Sequence, residues 1–255
     1  MPAPSNVYRF VRDQLGSVRR VYMRGNRIVR RDDLGRHSQT VLLLHGFMQT
    51  RNVWEVMEDR LRYDGYGVFS FDLGGLFNTF NTRPIPALAE AVAEKIEGIC
   101  TKYDVDRFHV IGHSKGGLIA RHYVQFCGGD RRVKSLIALG TPFHGTPTAL
   151  IGAAITGGGL LGRSVLQMLP HSPLIRRMTR DSFPAHVPMV SVFSKHDLVC
   201  PHWSSVLRPT PGATGMKNIP VRGIGHTALT HDPGVYLIVR SQLEEASKLW
   251  DERTR

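Results

Sequence analysis

The feature that most constrains the fold is a serine between two glycines, placed where a strand pattern gives way to a helical pattern. Residues Gly112–Gly116 read Gly-His-Ser-Lys-Gly and follow the apolar run Phe108–Ile111, and a helix is predicted over Gly117–Gln125. A sharp strand-to-helix turn strains the backbone of its middle residue, Ser114, and presents the hydroxyl at the edge of a sheet. The flanking residues are glycines because a side chain there would collide across the turn. The alternative interpretation is a glycine-rich turn that carries a solvated serine.

Strand and helix patterns alternate along the chain from residue 40 onwards. The predicted strands are Val41–Leu44, Gly67–Phe71, Phe108–Ile111, Val133–Leu139, Met189–Phe193 and a last one that ends at Val221. The predicted helices lie near Asn52–Arg62, Ala87–Tyr103, Gly117–Gln125 and Gly234–Trp250. This order predicts an α/β fold with a mostly parallel central sheet and helices on both faces. Ligands of such sheets bind beyond the carboxyl ends of the strands, which is where Ser114 falls.

A serine in this position needs a base, because its hydroxyl is a weak nucleophile until its proton is removed. The base is nearly always a histidine held by a carboxylate. In this order of strands, the acid is expected after the serine and the histidine after the acid. Asp197 comes just past the strand Met189–Phe193, and His226 lies between the last strand and the C-terminal helix. The sequence therefore predicts a catalytic triad of Ser114, His226 and Asp197.

Other residues could fill the same roles. His231 is the second candidate for the base and His196 the third, and Asp232 and Asp72 are alternative acids. Asp197 could instead cap a helix or pair with a surface arginine. The sequence leaves these alternatives open.

The reaction also needs N–H donors for the negative charge that develops on the substrate oxygen. One donor is the backbone N–H of the residue after the nucleophile, which is Lys115, and the other comes from the loop after the first buried strand. That loop is His45–Phe47, and the Phe47 N–H is the candidate. Phe47 and Lys115 are therefore the predicted oxyanion hole. A simple turn that ends the strand is the alternative.

These motifs together resemble the α/β-hydrolases of the bacterial lipase and esterase type, such as triacylglycerol lipases. The matching segments lie between Thr40 and Trp250 and comprise Leu44–Phe47, Gly112–Gly117, Leu139–Thr146 and the loops that hold Asp197 and His226. The resemblance implies an α/β-hydrolase fold with Ser114 as nucleophile, Asp197 as acid and His226 as base. It also implies Phe47 and Lys115 as the oxyanion donors.

The chain departs from this family pattern at several points. Many relatives have methionine or glutamine where this chain has Lys115, and Phe143 intervenes in a Pro-His-x-Gly motif before His144. Some relatives bind calcium near the histidine loop, but its ligands cannot be placed in this sequence. No metal or other cofactor is therefore predicted.

Two regions stand apart from the alternating pattern. A basic N-terminal segment is predicted over 1–36, and the hydrolase domain over 37–255. Within that domain, the apolar and glycine-rich stretch at about 146–186 interrupts the strands and predicts a cap or lid. A fixed helical hairpin that belongs to the core is the alternative.

The excess of positive charge is largest in the N-terminal segment. The whole chain has 33 Lys and Arg against 21 Asp and Glu, a net charge of +12. Apolar residues at three-to-four spacing between Val7 and Tyr22 predict a helix with arginines on its other face. Such a helix could make peripheral contact with an anionic membrane or dock on the domain. Tyr22–Val29 could instead form a hairpin that turns at Gly25–Asn26.

Composition also indicates the cellular compartment and the partners to expect. The sequence has neither an uninterrupted apolar stretch of about 18 residues nor an apolar core of a signal peptide near its start, so a cytoplasmic protein without a membrane span is expected. Cys100, Cys127 and Cys200 are three widely spaced cysteines, which fits free thiols better than disulfides. Nucleic acid is not an expected partner because helix-turn-helix, zinc-finger and RNP signatures are missing.

The function that these observations favour is hydrolysis of carboxylic esters of lipid-like substrates, as in a lipase or esterase. The apolar stretch at 146–186 supports an acyl substrate because its side chains would line an acyl pocket. A thioesterase or an acyltransferase would use the same triad. A non-catalytic lipid-binding protein that keeps the fold is the alternative outside enzymes.

Overall fold

Six apolar segments of the chain pair side by side in one parallel sheet. The computed structural model describes residues 33–74, 81–150 and 164–254. The strands are β1 (Thr40–Leu44), β2 (Gly67–Ser70), β3 (Phe108–His113), β4 (Val133–Leu139), β5 (Met189–Ser194) and β6 (Met216–Val221), in the order β2-β1-β3-β4-β5-β6. The crossover between β2 and β3 reverses the direction in which strands are added, as the doubly wound α/β pattern requires. The predicted α/β fold is confirmed.

The central strands are buried along their whole length because helices cover both faces of the sheet. Every residue of β1, β3 and β5 is buried, whereas β6 at the edge leaves several side chains exposed. The continuous apolar run Val41–Leu44 of β1 is typical of parallel strands that lack a solvent face.

The helices connect the strands and end near the positions that the sequence indicates. They are α1 (Glu55–Tyr63), α2 (Ile85–Tyr103), α3 (Lys115–Phe126), α4 (Pro173–Arg180), the short α5 (His202–Ser205) and α6 (Pro233–Thr254). Helix α3 begins at Lys115, two residues earlier than predicted, because the serine turn leads directly into its first helical residue.

The alternation of side chains along β1 divides the core into two layers. Leu42 and Leu44 point to the layer that contains α2 and α3, while Val41 and Leu43 point to the layer that contains α1 and α6. This follows from the two-residue period of a strand, which sends successive side chains to opposite faces.

The predicted N-terminal helix and its alternative, the hairpin at Tyr22–Val29, lie outside the described residues, as does 151–163 in the predicted cap. In the described remainder of the cap, Ile175 and Met178 of α4 are buried against the layer that contains α3. Arg121 and Gln125 of α3 donate hydrogen bonds to the Met178 carbonyl. Among the described helices, none is both long and apolar enough to cross a membrane.

Candidate active site

The turn that carries Ser114 has the strained geometry that the sequence predicts. Ser114 lies between the end of β3 and the start of α3 with φ +53° and ψ −123°, a conformation that side chains rarely adopt. A Cβ added at Gly116 would lie 2.0 Å from the Leu44 carbonyl oxygen, and one at Gly112 would lie 2.5 Å from the Gly117 Cα. The glycines are therefore required because β1, β3 and α3 meet here without room for a side chain.

His226 and Asp197 form a buried pair at the carboxyl end of the sheet. Nδ1 of His226 lies 2.6 Å from Oδ2 of Asp197, and both side chains are nearly inaccessible to solvent. The other carboxylate oxygen of Asp197 accepts the backbone N–H groups of Val199 and Cys200, each at 2.8 Å. Because both of its oxygens accept hydrogen bonds, the carboxylate is fixed in orientation. It holds the imidazole by Nδ1, so that Nε2 of His226 faces away from Asp197.

The alternative acids and bases have other partners. Oδ1 of Asp232 caps α6 by accepting the N–H groups of Gly234 and Val235, and Oδ1 of Asp72 accepts the N–H of Arg51. Nδ1 of His196 is bonded to the N–H of Gly223, and the ring of His231 lies 3.5 Å from the Thr230 hydroxyl. Of the candidates named from the sequence, the structure brings together His226 and Asp197.

Ser114, His226 and Phe47 line one cavity of about 460 Å³. Apolar side chains supply much of the remaining wall, among them Ala149, Val165, Met168, Leu198 and Val199. Within the described part of the chain, the hydroxyl of Ser114 contacts the thiol of Cys200 rather than forming a hydrogen bond with His226. Catalytic hydrogen bonds are often long in an unliganded site and tighten when substrate binds.

The Cys200 thiol on the same cavity wall as Ser114 is held in its protonated form. Burial raises the pKa of the Cys200 thiol well above its usual range, and the charge of Asp197 raises this pKa further. Cys200 is therefore a neutral thiol, which is the less nucleophilic of its two forms.

The predicted oxyanion donors lie on two segments that other side chains hold in place. Lys115 is the first residue of α3, and Phe47 follows β1. Oε1 of Gln49 accepts the N–H of Gly46 at 2.8 Å, and the Asn81 side-chain amide donates to the His45 carbonyl at 2.6 Å. The loop after β1 is therefore fixed at two points before it reaches the cavity.

Three further residues, His113, Gln49 and Asn81, organise this site. The ring of His113 lies between Oε1 of Gln49, at 3.0 Å, and the backbone oxygen of His226, at 3.1 Å. Burial keeps the pKa of His113 well below its usual range, and His45, the first residue of the loop after β1, has a pKa lowered to about 4 mainly by burial. The G-x-S-x-G pattern allows any residue type at position 113, and Gln49 and Asn81 belong to no motif. No local sequence signal therefore marks these three residues.

In residues 33–74, 81–150 and 164–254, no three His, Cys, Asp or Glu side chains come together in a way that could hold a metal ion. The three cysteines are free thiols.

Comparison with known sequences gives one family and two curated relatives. The sequence model of a family described as having the α/β-hydrolase fold matches residues 39–156. A probable lysophospholipase of Arabidopsis thaliana, BODYGUARD 4, is 32% identical over 85 residues, which are 32% of this chain and 20% of the relative. BODYGUARD 3 from the same plant is 31% identical over 118 residues, 43% of this chain and 22% of the relative. The matched region thus spans about a fifth of these relatives.

Solved structures extend the likeness over most of the chain. Aspergillus fumigatus lipase B superimposes with a TM-score of 0.63 at 18% identity, covering 78% of this chain and 50% of the lipase. A soluble variant of Saccharomyces cerevisiae monoglyceride lipase gives 0.62 at 14% identity, covering 84% and 87%. A Bacillus licheniformis lipase gives 0.62 at 14% identity, covering 86% and 96%. At these identities the likeness establishes the fold.

Proposed function

We propose that this chain, whose residues 39–156 match a family model of the α/β-hydrolase fold, hydrolyses carboxylic esters of lipid-like substrates. The observation that carries the proposal is the 2.6 Å pair of His226 and Asp197 on the same cavity as Ser114. A strained serine, an imidazole and a buried carboxylate in this order are the parts that acyl transfer needs.

In the proposed reaction, Ser114 Oγ attacks the ester carbonyl carbon while Nε2 of His226 takes the hydroxyl proton. Asp197 holds Nδ1 and stabilises the imidazolium that forms. The N–H groups of Lys115 and Phe47 bind the oxyanion of the tetrahedral intermediate. The intermediate collapses, His226 returns the proton to the departing alcohol, and the acyl group stays on Ser114. Water activated by His226 then attacks the acyl-enzyme and releases the carboxylic acid.

The cavity supports a substrate with a single acyl chain. Its volume of about 460 Å³ lies toward the small end of ligand cavities, which span about 300–1,000 Å³. Its wall beyond Ser114 includes Val165 and Met168, which suit a hydrocarbon chain rather than a polar group. Two of the similar proteins, a probable lysophospholipase and a monoglyceride lipase, are named for single-chain lipid esters, which supports the same substrate class for this chain.

The proposal is tested by hydrolysis of nitrophenyl esters and monoacylglycerols of graded acyl length, with Ser114→Ala as the matched control. We expect turnover that depends on Ser114, with a KM that falls as the acyl chain lengthens until the cavity is filled. Wild-type turnover retained by Ser114→Ala would contradict the proposal. Product analysis in the presence of competing alcohols and acyl-CoA separates hydrolysis from acyl transfer and thioester cleavage.

The basic segment 1–36 is proposed to contact anionic membranes. Nine arginines and three aspartates give it a strong positive charge, and each basic side chain near an anionic lipid surface adds about 1 kcal/mol of attraction. This proposal is independent of the catalytic one. It places the enzyme beside the pool of lipid from which its substrate would come.

A further inference from the structure

The side chain of Lys115 is buried and donates to three oxygen atoms from two other segments of the chain. Its Nζ lies 2.8 Å from the Asn81 carbonyl oxygen, 2.6 Å from the Arg83 carbonyl oxygen and 2.5 Å from the hydroxyl of Ser164. An ammonium has three N–H donors, so three acceptors satisfy it fully. Asn81 and Arg83 precede α2, and Ser164 belongs to the predicted cap.

This contact continues to the loop that carries the other oxyanion donor. The Asn81 side chain donates to the His45 carbonyl at 2.6 Å, and the Phe47 ring packs with its centroid 5.6 Å from Nζ of Lys115. The two ends of one residue therefore serve one site. The backbone N–H of Lys115 starts α3 at the nucleophile, while its side chain holds the segment that fixes the loop of Phe47.

A buried lysine at this position costs free energy that an apolar side chain of similar size would not cost. Burial lowers the pKa of Lys115 well below its usual range, which reflects the loss of hydration of the charged form. A methionine would fill a similar volume without that loss. The bonds made by Nζ must therefore supply something that an apolar side chain cannot, and their directions point to the placement of the loop.

We propose that Lys115 is a positioning residue that sets the distance between the two halves of the oxyanion hole. This inference rests on the proposed ester hydrolysis. In it, Nζ anchors Asn81, Asn81 anchors the His45 carbonyl, and the Phe47 N–H is thereby aimed at the substrate oxygen. Ser164 joins the cap to the same anchor.

The test compares Lys115→Met with Lys217→Met, a matched change at an exposed ion pair on β6. We expect Lys115→Met to lower kcat about 10- to 100-fold, with KM changed less than threefold. Phosphonylation of Ser114 by a fluorophosphonate should slow by a similar factor, because the same N–H groups bind the phosphoryl oxygen. Lys217→Met should match the wild type. A folded Lys115→Met protein with wild-type kcat would overturn the inference.

A second variant tests the route through Asn81 and remains available if Lys115→Met does not fold. Asn81 has φ +50°, so glycine can replace it without backbone strain while removing the bond to His45. We expect Asn81→Gly to lower kcat, and the double variant to lose no more than the worse single variant. Multiplicative losses, or full activity in Asn81→Gly, would overturn the route.

These outcomes separate the two proposals. If wild-type turnover does not depend on Ser114, the proposed function fails and the inference falls with it. If turnover depends on Ser114 but is unaffected by Lys115→Met and Asn81→Gly, only the role of Lys115 fails.

Discussion

The imidazole of His113, the residue before the proposed nucleophile, lies 3.1 Å from the backbone oxygen of His226. The two rings are also in contact, with centroids 4.6 Å apart. The chain thereby joins the turn of Ser114 to the loop of the proposed base through a residue that takes no part in the chemistry. Small displacements between a nucleophile and its base cost much of the rate, so this contact has a functional consequence.

Replacing His113 with phenylalanine keeps an aromatic ring at this position but removes the hydrogen bonds to Gln49 and to the His226 carbonyl. We expect kcat to fall about 10-fold or more, with a loss of stability of about 1–3 kcal/mol from the buried polar groups left without partners. Ester turnover and urea unfolding measure the two effects. Phenylalanine at the exposed His186 is the control, and full activity in His113→Phe would show that the contact does not hold the base.

Substitution by alanine is expected to have opposite effects at Gly116 and at Gly98. A Cβ at Gly116 would lie 2.0 Å from the Leu44 carbonyl oxygen, whereas one at Gly98, within α2, meets nothing within 4 Å. Gly116→Ala should therefore abolish activity and lower the midpoint of thermal unfolding. Gly98→Ala should raise stability by up to about 1 kcal/mol, because alanine is the better helix former. Thermal unfolding of both variants checks this, and a stable, active Gly116→Ala would refute the tight turn.

Stability is expected to fall in mild acid because of buried histidines. Burial lowers the pKa of His109 to about 3, with the charge of Lys134 adding to the effect. The unfolded chain binds this proton below about pH 6.5 while the folded chain does not. Above pH 6.5 neither state binds the proton, and this histidine costs the folded protein no stability. As the pH falls from 6.5 toward 3, the free energy of unfolding decreases by about 1.4 kcal/mol per pH unit.

His109→Gln removes this titration while leaving an amide near Ser135 and Ser247, the hydroxyl partners of the ring. Urea unfolding between pH 7 and 4.5 should give a shallower decline in the free energy of unfolding for this variant than for the wild type. Glutamine at the exposed His202 is the control. Equal slopes in wild type and His109→Gln would contradict the account.

Removal of residues 1–32, which hold eight of the nine arginines of the basic segment, tests the membrane proposal by itself. Deletion of residues 1–32 should weaken binding to vesicles that contain phosphatidylserine, and added salt should weaken binding of the full chain because surface charges are screened. Turnover of a water-soluble short-chain ester should stay unchanged. Co-sedimentation with vesicles measures the binding, and undiminished, salt-independent binding would exclude an electrostatic role for the segment.

The sequence predicted the sheet and the serine turn because both are encoded locally. The buried run of β3 and the glycines around Ser114 lie within a few residues of each other and have few alternative conformations. Asp197 and His226 could be named as candidates because the order of strands places their loops at one edge of the sheet. The choice between His226 and His231 required coordinates, since both follow the last strand.

The roles of Gln49, Asn81 and the Lys115 side chain could not be predicted from the sequence. The bonds of Gln49 to His113, of Asn81 to His45 and of Lys115 to Asn81 join segments that are more than 30 residues apart, and no periodicity or motif encodes such contacts. The sequence indicated a role for the backbone N–H of Lys115, but the bonds of its side chain depend on where Asn81 and Ser164 lie in three dimensions.

The most direct test of the account is covalent labelling of Ser114. Incubation with a fluorophosphonate followed by mass spectrometry of the peptides should place one adduct on Ser114. Labelling should be lost in Ser114→Ala and strongly slowed in His226→Ala, because the hydroxyl then lacks its base. An unlabelled Ser114 in folded wild-type protein, or labelling whose rate does not depend on His226, would contradict the central claim that these two side chains act together.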